Sequence, residues 1–171
     1  LEKYHDQDIF LSEALAIEAC NEIEKAVATE KPFFLHFAPY AVHAPLMPNP
    51  KYIDKYQNID KREAAYATMI ESADAALGSV LAKLDALGIA DNTIVIFTSD
   101  NGGLSAHARG GEPHLHNAPL RSGKGSAYEG GIRVPLIVQG LDKKPTVNDA
   151  YVITHDLFPT ILGYAGVEIP P

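Results

Sequence analysis

The sequence predicts an α/β fold in which a mostly parallel sheet is flanked by helices on both faces. Residues 93–99 (TIVIFTS) form a nearly continuous run of β-branched and apolar residues. Such a run is typical of a strand that is covered on both faces. Strand-like and helix-like segments also alternate along the chain, which favours helices that connect parallel strands.

Three helices are predicted from apolar side chains that recur at helical spacing. The first runs from the N-cap residue Ser12 to about Thr29, and the second covers residues 61–87. Gly88 ends the second helix, because glycine readily adopts the left-handed conformation that follows a helix. The third helix covers residues 154–165.

Three strands are predicted between these helices. Residues 33–37 (FFLHF) follow Pro32 and precede an irregular, proline-rich loop, and His36 within them is expected to be a satisfied core histidine. The other two strands are expected at residues 93–99 and at about 134–138.

Composition bounds the class of protein. The chain has 171 residues, of which 46% are hydrophobic and 21% are charged, and this is ordinary for one globular domain. Its net charge of −8 argues against a nucleic-acid partner, since phosphate contacts need clustered Lys and Arg. The single cysteine, Cys20, permits no internal disulfide. No apolar run approaches the roughly 20 residues that span a bilayer, so no membrane span is predicted.

Asp100 and Asn101 are the candidate metal ligands. They follow the predicted strand 93–99, and ligands collect beyond the carboxyl ends of strands in parallel sheets. A carboxylate beside an amide oxygen suits a hard cation such as Ca²⁺ or Mg²⁺. The residues taken alone also fit a strand that simply ends in an Asx-turn.

His43 and Lys124 are the candidate catalytic residues. His43 lies in the proline-rich loop after the predicted strand 33–37, at the same edge of the sheet as Asp100. An imidazole can contact an anion and transfer a proton near neutral pH. Lys124 lies between two glycines, so its ammonium can reach a bound anion without obstruction. The alternative for both is a solvated loop side chain.

Three histidines, His107, His114 and His116, lie between Asn101 and Lys124. Their density raises the alternative of a zinc site, but no cysteine or second carboxylate cluster completes one. We expect this loop to line the entrance for a substrate.

Three segments of the chain, in this order, resemble the later part of the sulfatase catalytic domain, a branch of the alkaline-phosphatase-like superfamily. They are residues 33–46 (FFLHFAPYAVHAPL), 93–103 (TIVIFTSDNGG) and 117–135 (NAPLRSGKGSAYEGGIRVP). The resemblance extends from about residue 8 to residue 167. It implies the α/β fold of that superfamily.

The resemblance also implies roles for the candidate residues. His43 corresponds to the histidine of the family's His-x-Pro motif, which contacts the sulfate and can protonate the leaving oxygen. Lys124 corresponds to the active-site lysine that binds the sulfate. Asp100 and Asn101 correspond to ligands of a Ca²⁺ ion, with Mg²⁺ as the alternative.

Other parts of the family pattern are absent from these 171 residues. The Cys/Ser-x-Pro-x-Arg motif that carries formylglycine is missing, so this nucleophile is expected on an upstream segment. The early acidic metal ligands and the small C-terminal domain are missing as well. We therefore expect residues 1–171 to be a partial sulfatase catalytic domain.

The resemblance implies a sulfuric ester hydrolase that acts on a sulfated small molecule or glycan, in the periplasm or outside the cell. The isolated chain is expected to be inactive, because it lacks the nucleophile motif. Two alternatives stay open: a hydrolase of phosphate or phosphonate monoesters from the same superfamily, and a truncated domain that binds without catalysis.

Glu129 and Arg133 are family-like positions with a structural interpretation. They lie four residues apart, and we expect them to form a buried ion pair that holds the lysine loop against the sheet. Gly130 and Gly131 between them make a helix unfavourable at this place.

Overall fold

The structure is a computed structural model, and it describes residues 2–104, 116–140 and 144–169. The chain divides into a larger unit, Leu1–Leu141, and a smaller unit, Asp142–Pro171. The larger unit contains helices α1, α2 and α3 and strands β1 and β2, at Leu11–Ala28, Lys61–Ala86, Glu129–Ile132, Val95–Thr98 and Leu136–Gln139. The smaller unit contains helix α4 at Thr154–Tyr164.

The three long helices confirm the predicted ones to within about one residue at each end. The N-cap of α1 was wrong, because Phe10 precedes the helix and Ser12 is buried inside its first turn. Helix α2 begins after Asp60, whose side chain accepts hydrogen bonds from two main-chain N–H groups of the first turn. Gly88 follows α2 with φ of +67°, as the sequence predicts.

The core of the larger unit lies between α1 and α2. Four buried residues form it, and they are Ala19, Ile23, Val80 and Leu84. Small alanines in both helices permit a close approach of the two backbones. Exposed ion pairs border this interface, among them Lys51 with Glu13 at 3.2 Å and Lys83 with Glu24.

Strands β1 and β2 pair in antiparallel register, with Phe97 opposite Ile137 and Thr98 opposite Leu136. The predicted mostly parallel sheet is therefore not confirmed by these two strands. A parallel pair needs a crossover that returns the chain to the start of β1. Here β2 starts beside the end of β1, and the described part of the connection holds only the four-residue helix α3.

The predicted strand at residues 33–37 is wrong. Leu35 and Phe37 pack against the core, but the segment has no ladder partner within the described ranges. Its alternate side chains are exposed, and Phe34 is 74% exposed. His36 is exposed as well, so it is not a core histidine. An apolar run is enough for packing on the core, but a strand also needs a neighbour with which its main chain can pair.

The proline-rich loop is tied to α2 by a buried polar link. The main-chain N–H of Asn49 donates to the hydroxyl of Thr68 at 2.9 Å, and the Asn49 amide donates to the hydroxyl of Ser72 at 2.9 Å. All three residues are at most 2% exposed. This link fixes the loop that begins near His43 onto a rigid helix.

Helix α4 of the smaller unit starts at Thr154, and the carboxylate of Asp156 accepts a hydrogen bond from the main-chain N–H of Ile153 at 2.8 Å. Of the helices in the described ranges, none is long and apolar enough to cross a lipid bilayer.

Candidate active site

Asp100 and Asn101 lie just beyond the end of β1, as predicted. Asp100 is exposed and Asn101 is half-buried. The amide nitrogen of Asn101 donates to the carbonyl oxygen of Gly102 at 3.0 Å, so the Asn101 Oδ1 does not take part in this bond. Within the described part of the chain, neither this oxygen nor the Asp100 carboxylate accepts a hydrogen bond. No described residue therefore competes with a cation for these two oxygens.

The chemistry of this pair fits Ca²⁺ or Mg²⁺, because both donors are hard oxygens. Ca²⁺ takes about 6–8 oxygen ligands, so the pair supplies only a part of a coordination shell. Among the described residues there is no group of three or more His, Cys, Asp or Glu side chains that could hold a metal ion. The other ligands of such an ion must come from water or from residues other than Asp100 and Asn101.

The segment 121–131, called here the lysine loop, lies against the turn that carries these oxygens. The main-chain N–H of Lys124 donates to the carbonyl oxygen of Gly103 at 2.9 Å. The N–H of Gly102 donates to the carbonyl oxygen of Gly131 at 2.9 Å. The structure therefore brings Lys124 beside the Asp100–Gly103 turn, although 20 residues lie between Gly103 and Lys124 along the chain.

Glycines make this close approach possible. A Cβ atom on Gly130 would overlap the carbonyl oxygen of Ser122 and would lie 2.6 Å from that of Arg121. A Cβ atom on Gly131 would collide with Ser126 and would lie 2.6 Å from the carbonyl oxygen of Gly123. The expectation that these glycines make a helix unfavourable here is wrong, because they lie in the short helix α3. Contacts across the loop outweigh their low intrinsic helix propensity.

The ion pair between Glu129 and Arg133 is present, with 3.3 Å between Oε2 and the guanidinium. It is exposed rather than buried, with 69% of the Arg133 side chain accessible. Arg121 makes a cation–π contact in the same loop, with its guanidinium carbon 3.9 Å from the ring centre of Tyr128. Stacking of this kind holds the start of the lysine loop against its end.

His43 is exposed in the proline-rich loop. Its Nδ1 lies 2.8 Å from the carbonyl oxygen of Ala44, and since a carbonyl can only accept, Nδ1 carries a proton. The ring lies against Tyr40 with a centroid distance of 5.4 Å. In the described ranges no hydrogen bond connects His43 with Asp100, Asn101 or Lys124. The structure thus joins three of the four predicted site residues and leaves His43 on a separate loop.

Of the three clustered histidines, His107 and His114 lie outside the described residues. His116 contacts α2, and the expected substrate entrance stays a prediction. Its Nε2 lies 2.7 Å from the Glu63 carboxylate, and its ring stacks on Tyr66 with a centroid distance of 4.9 Å and an interplanar angle of 4°. His116 therefore attaches the chain just before Asn117 to the first turns of α2.

Sequence reasoning missed Asn117. The side-chain amide of this half-buried residue donates to the carbonyl oxygens of Gly103 and Ser122, at 3.0 Å each. An asparagine before Ala-Pro is typical of an ordinary turn. The neighbouring sequence does not indicate that its side chain contacts two other segments.

Cys20 is not a candidate nucleophile. It lies between α1 and α2 with its sulfur 3.6 Å from the carbonyl oxygen of Ser79. Burial raises the pKa of its thiol, and Glu24 adds to this while Lys83 opposes it. A thiol of raised pKa remains protonated and unreactive at neutral pH.

Comparison with known proteins gives one consistent family. The family model described as Sulfatase matches residues 2–167. A sulfatase of Formosa agariphila is 36% identical over an alignment that covers 94% of this chain and 31% of the relative. The steryl-sulfatase of Rattus norvegicus is 37% identical, with 94% of this chain and 27% of the relative covered. The chain thus spans about a third or less of the length of these relatives.

Solved structures give the same result. The crystal structure of Ps i-CgsB in complex with k-i-k-neocarrahexaose superposes with a TM-score of 0.83 at 34% identity, covering 94% of this chain and 35% of that one. The PsFucS1 sulfatase from Pseudoalteromonas sp. superposes with a TM-score of 0.74 at 32% identity, covering 93% and 31%. Sulfatases have the alkaline-phosphatase-like α/β fold, so the predicted α/β class is confirmed. This chain belongs to the sulfatase family.

Proposed function

We propose that this chain forms part of the active site of a sulfuric ester hydrolase. The observation that carries the proposal is the hydrogen bond between Lys124 and Gly103, at 2.9 Å. It joins a candidate cation site, at Asp100 and Asn101, to a loop that carries an ammonium group. Two centres of positive charge on one connected unit suit an anionic ester such as a sulfate monoester, because negative charge develops on the departing oxygen in the transition state.

Asp100 and Asn101 would hold a Ca²⁺ ion, or alternatively Mg²⁺, through the carboxylate and the amide oxygen. When bound, the ion would supply Lewis-acid stabilisation of charge on the sulfate oxygens. Lys124 would donate hydrogen bonds to the sulfate and would stabilise negative charge on the departing oxygen. The small flanking residues Gly123 and Gly125 leave its side chain room to do so.

His43 would protonate the leaving alcohol oxygen. The proton on Nδ1 is held by the carbonyl oxygen of Ala44, so an imidazolium would donate its second proton from Nε2. After that transfer a neutral imidazole remains, and its Nδ1 proton still donates to Ala44. The loop therefore fixes the tautomer that this role requires.

The attacking group of the family, formylglycine, is proposed to lie on a segment outside these 171 residues, which contain no Cys/Ser-x-Pro-x-Arg motif. We further propose that β1 and β2 join a larger, mostly parallel sheet in a longer protein, since each has an unpaired edge in the described structure. The substrate would be a sulfated small molecule or glycan. A structural neighbour in complex with a neocarrahexaose supports the glycan class.

The test uses a chimeric protein in which this chain replaces the matching third of the Formosa agariphila sulfatase. The rest of that sulfatase is expected to supply the nucleophile motif. We expect hydrolysis of a chromogenic aryl sulfate in the presence of Ca²⁺. Lys124→Ala and Asp100→Ala should each lower kcat/KM by about 10²–10³, as expected when a group that stabilises transition-state charge is removed. Lys144→Ala, an exposed lysine of the smaller unit, is the control and should leave the rate unchanged.

Full activity of Lys124→Ala would contradict the proposed role. Faster hydrolysis of an aryl phosphate than of the sulfate would favour a phosphate monoester hydrolase. Robust sulfate hydrolysis by the 171-residue chain alone would show that no external nucleophile is needed.

A further inference from the structure

Asn117 connects the two halves of the candidate active site. One half is the turn from Asp100 to Gly103, and the other is the lysine loop. The amide nitrogen of Asn117 donates to the carbonyl oxygen of Gly103 at 3.0 Å and to that of Ser122 at 3.0 Å. A side-chain amide has two N–H donors, and here each one is used on a different segment.

The carbonyl oxygen of Gly103 is shared in this arrangement. It accepts from the Asn117 amide and also from the main-chain N–H of Lys124, at 2.9 Å. A carbonyl oxygen has two lone pairs, so both are occupied. The position of Lys124 relative to Asn101 therefore depends in part on an oxygen atom that Asn117 helps to orient, and the bond from Gly102 to Gly131 is a second connection.

The surroundings hold the Asn117 amide in place. Its Oδ1 lies 2.9 Å from the point where a Cβ atom of Gly103 would be, so any larger residue at position 103 would displace the Asn117 side chain. The main-chain carbonyl oxygen of Asn117 accepts a hydrogen bond from the N–H of Leu120 at 2.8 Å, which closes a turn. The preceding residue, His116, is attached to α2 through Glu63 and Tyr66.

We propose that Asn117 is a positioning residue that sets the distance between the Asp100–Asn101 oxygen pair and Lys124. It touches neither a sulfate nor a cation, and acts through the carbonyl oxygens of Gly103 and Ser122. The importance of that distance for catalysis rests on the proposed function. The hydrogen bonds that Asn117 makes do not depend on that function, so they can be tested separately.

The first experiment measures hydrogen exchange by NMR on the 171-residue chain. In the unaltered protein, both amide protons of the Asn117 side chain should exchange at least about ten-fold more slowly than a free amide, because each is hydrogen-bonded in a half-buried site. Exchange of both at the free rate would overturn the proposal without any variant.

The variants separate hydrogen bonding from shape. Asn117→Asp keeps the shape and removes both donors, and Asn117→Ala removes both shape and donors. Each should accelerate exchange of the Lys124 main-chain N–H by about ten-fold or more, the effect of losing roughly one buried hydrogen bond. The buried amide of Val80 in α2 should stay within about two-fold, since a local opening does not require global unfolding.

Asn148→Asp is the matched control. The Oδ1 of Asn148 accepts from the N–H of Ala150 at 2.9 Å, and a carboxylate keeps that bond. It should leave exchange at Lys124 unchanged. If Asn117→Asp behaves like the unaltered protein, or if Val80 exchange rises as much as that of Lys124, the positioning role is wrong.

The second experiment uses the chimeric protein in which this chain replaces the matching third of the Formosa agariphila sulfatase. Its hydrolysis of the aryl sulfate is measured. Asn117→Asp should lower kcat by about ten-fold or more while KM changes by less than about three-fold, because misplacement of a catalytic group acts mainly on the transition state. Asn148→Asp should alter neither. An unchanged kcat would overturn the proposal. An inactive parent would count against the proposed function, and the exchange measurements would still decide the role of Asn117.

Discussion

The closest contacts of the site occur at residues that have no side chain. A Cβ atom on Gly102 would overlap the carbonyl oxygen of Gly130, and one on Gly130 would overlap that of Ser122. These glycines lie with φ outside the left-handed region, so proximity rather than backbone freedom selects them. The lysine loop can therefore touch the Asp100–Gly103 turn only while these positions remain glycine.

Gly130→Ala should destabilise the larger unit by about 1–3 kcal/mol, the usual cost of adding a methyl group where no space exists. The neighbouring carbonyl oxygens belong to the backbone and cannot rotate away. Urea unfolding followed by circular dichroism measures the change. Gly78→Ala is the matched control, since Gly78 lies in α2 with nothing within 4 Å of the added methyl.

That control should stabilise the protein by about 0.5–1 kcal/mol, because alanine is the better helix former. Equal effects of the two substitutions, or a neutral Gly130→Ala, would contradict the close packing of the lysine loop.

At the same scale, the sequence predicts some residues of the site and misses others. Asp100 is a candidate ligand because it follows a strand, and Lys124 is a candidate because its segment resembles the sulfatase pattern; both roles stay predictions. Asn117 is missed, and the contact of His116 with Glu63 is not predicted, because these partners lie 14 and 53 residues away. A polar residue whose function is to hold other segments has no local pattern, so only the folded contacts reveal it.

Among the elements, α2 does more than cover the core. Its buried hydroxyls hold the proline-rich loop through Asn49, and its first turns hold His116. Because the loop of His43 and the loop of Asn117 are both attached to this one helix, α2 is the common reference for two parts of the candidate site. Loss of either attachment should loosen a loop without melting the helix.

Ser72→Ala tests the attachment of the proline-rich loop. The hydroxyl of Ser72 accepts from the Asn49 amide, so its removal leaves a buried donor unpaired and should cost about 1–3 kcal/mol of unfolding free energy. Ser79→Ala is the matched control. Both serines lie in α2 and both donate to the carbonyl oxygen four residues earlier, at 2.7 Å and 2.9 Å, but Ser79 is exposed.

The control should change the unfolding free energy by less than about 0.5 kcal/mol, as is usual for exposed surface positions. Two equal values in urea unfolding would show that the Asn49 link contributes nothing.

The elements also differ in how well sequence predicts them. The bounds of helices α1, α2 and α4 agree closely with the predicted ones, because periodicity and an end signal such as Gly88 are local. The strand at residues 33–37 and the parallel pairing were not found in the structure. A strand depends on a partner, and the orientation of β2 depends on where a 37-residue connection returns, which neither strand encodes.

On the scale of the whole molecule, the two-stranded sheet leaves apolar surface uncovered in the described structure. Ile137 is 60% exposed, and its cross-strand partner Phe97 is 44% exposed. Each strand also has an unpaired edge, which is a template for pairing with another chain. The net charge of −8 opposes such association through repulsion between copies.

We therefore expect the 171-residue chain to self-associate through this sheet, and more strongly when salt screens the repulsion. Ile137→Lys places a charge on the exposed sheet and should weaken the association by about ten-fold or more in sedimentation velocity, because a lysine on an edge strand opposes pairing. Val147→Lys adds the same charge at a position that is 93% exposed and outside the sheet. If both variants weaken association equally, net charge and not the sheet controls it; if neither does, the sheet is not the contact surface.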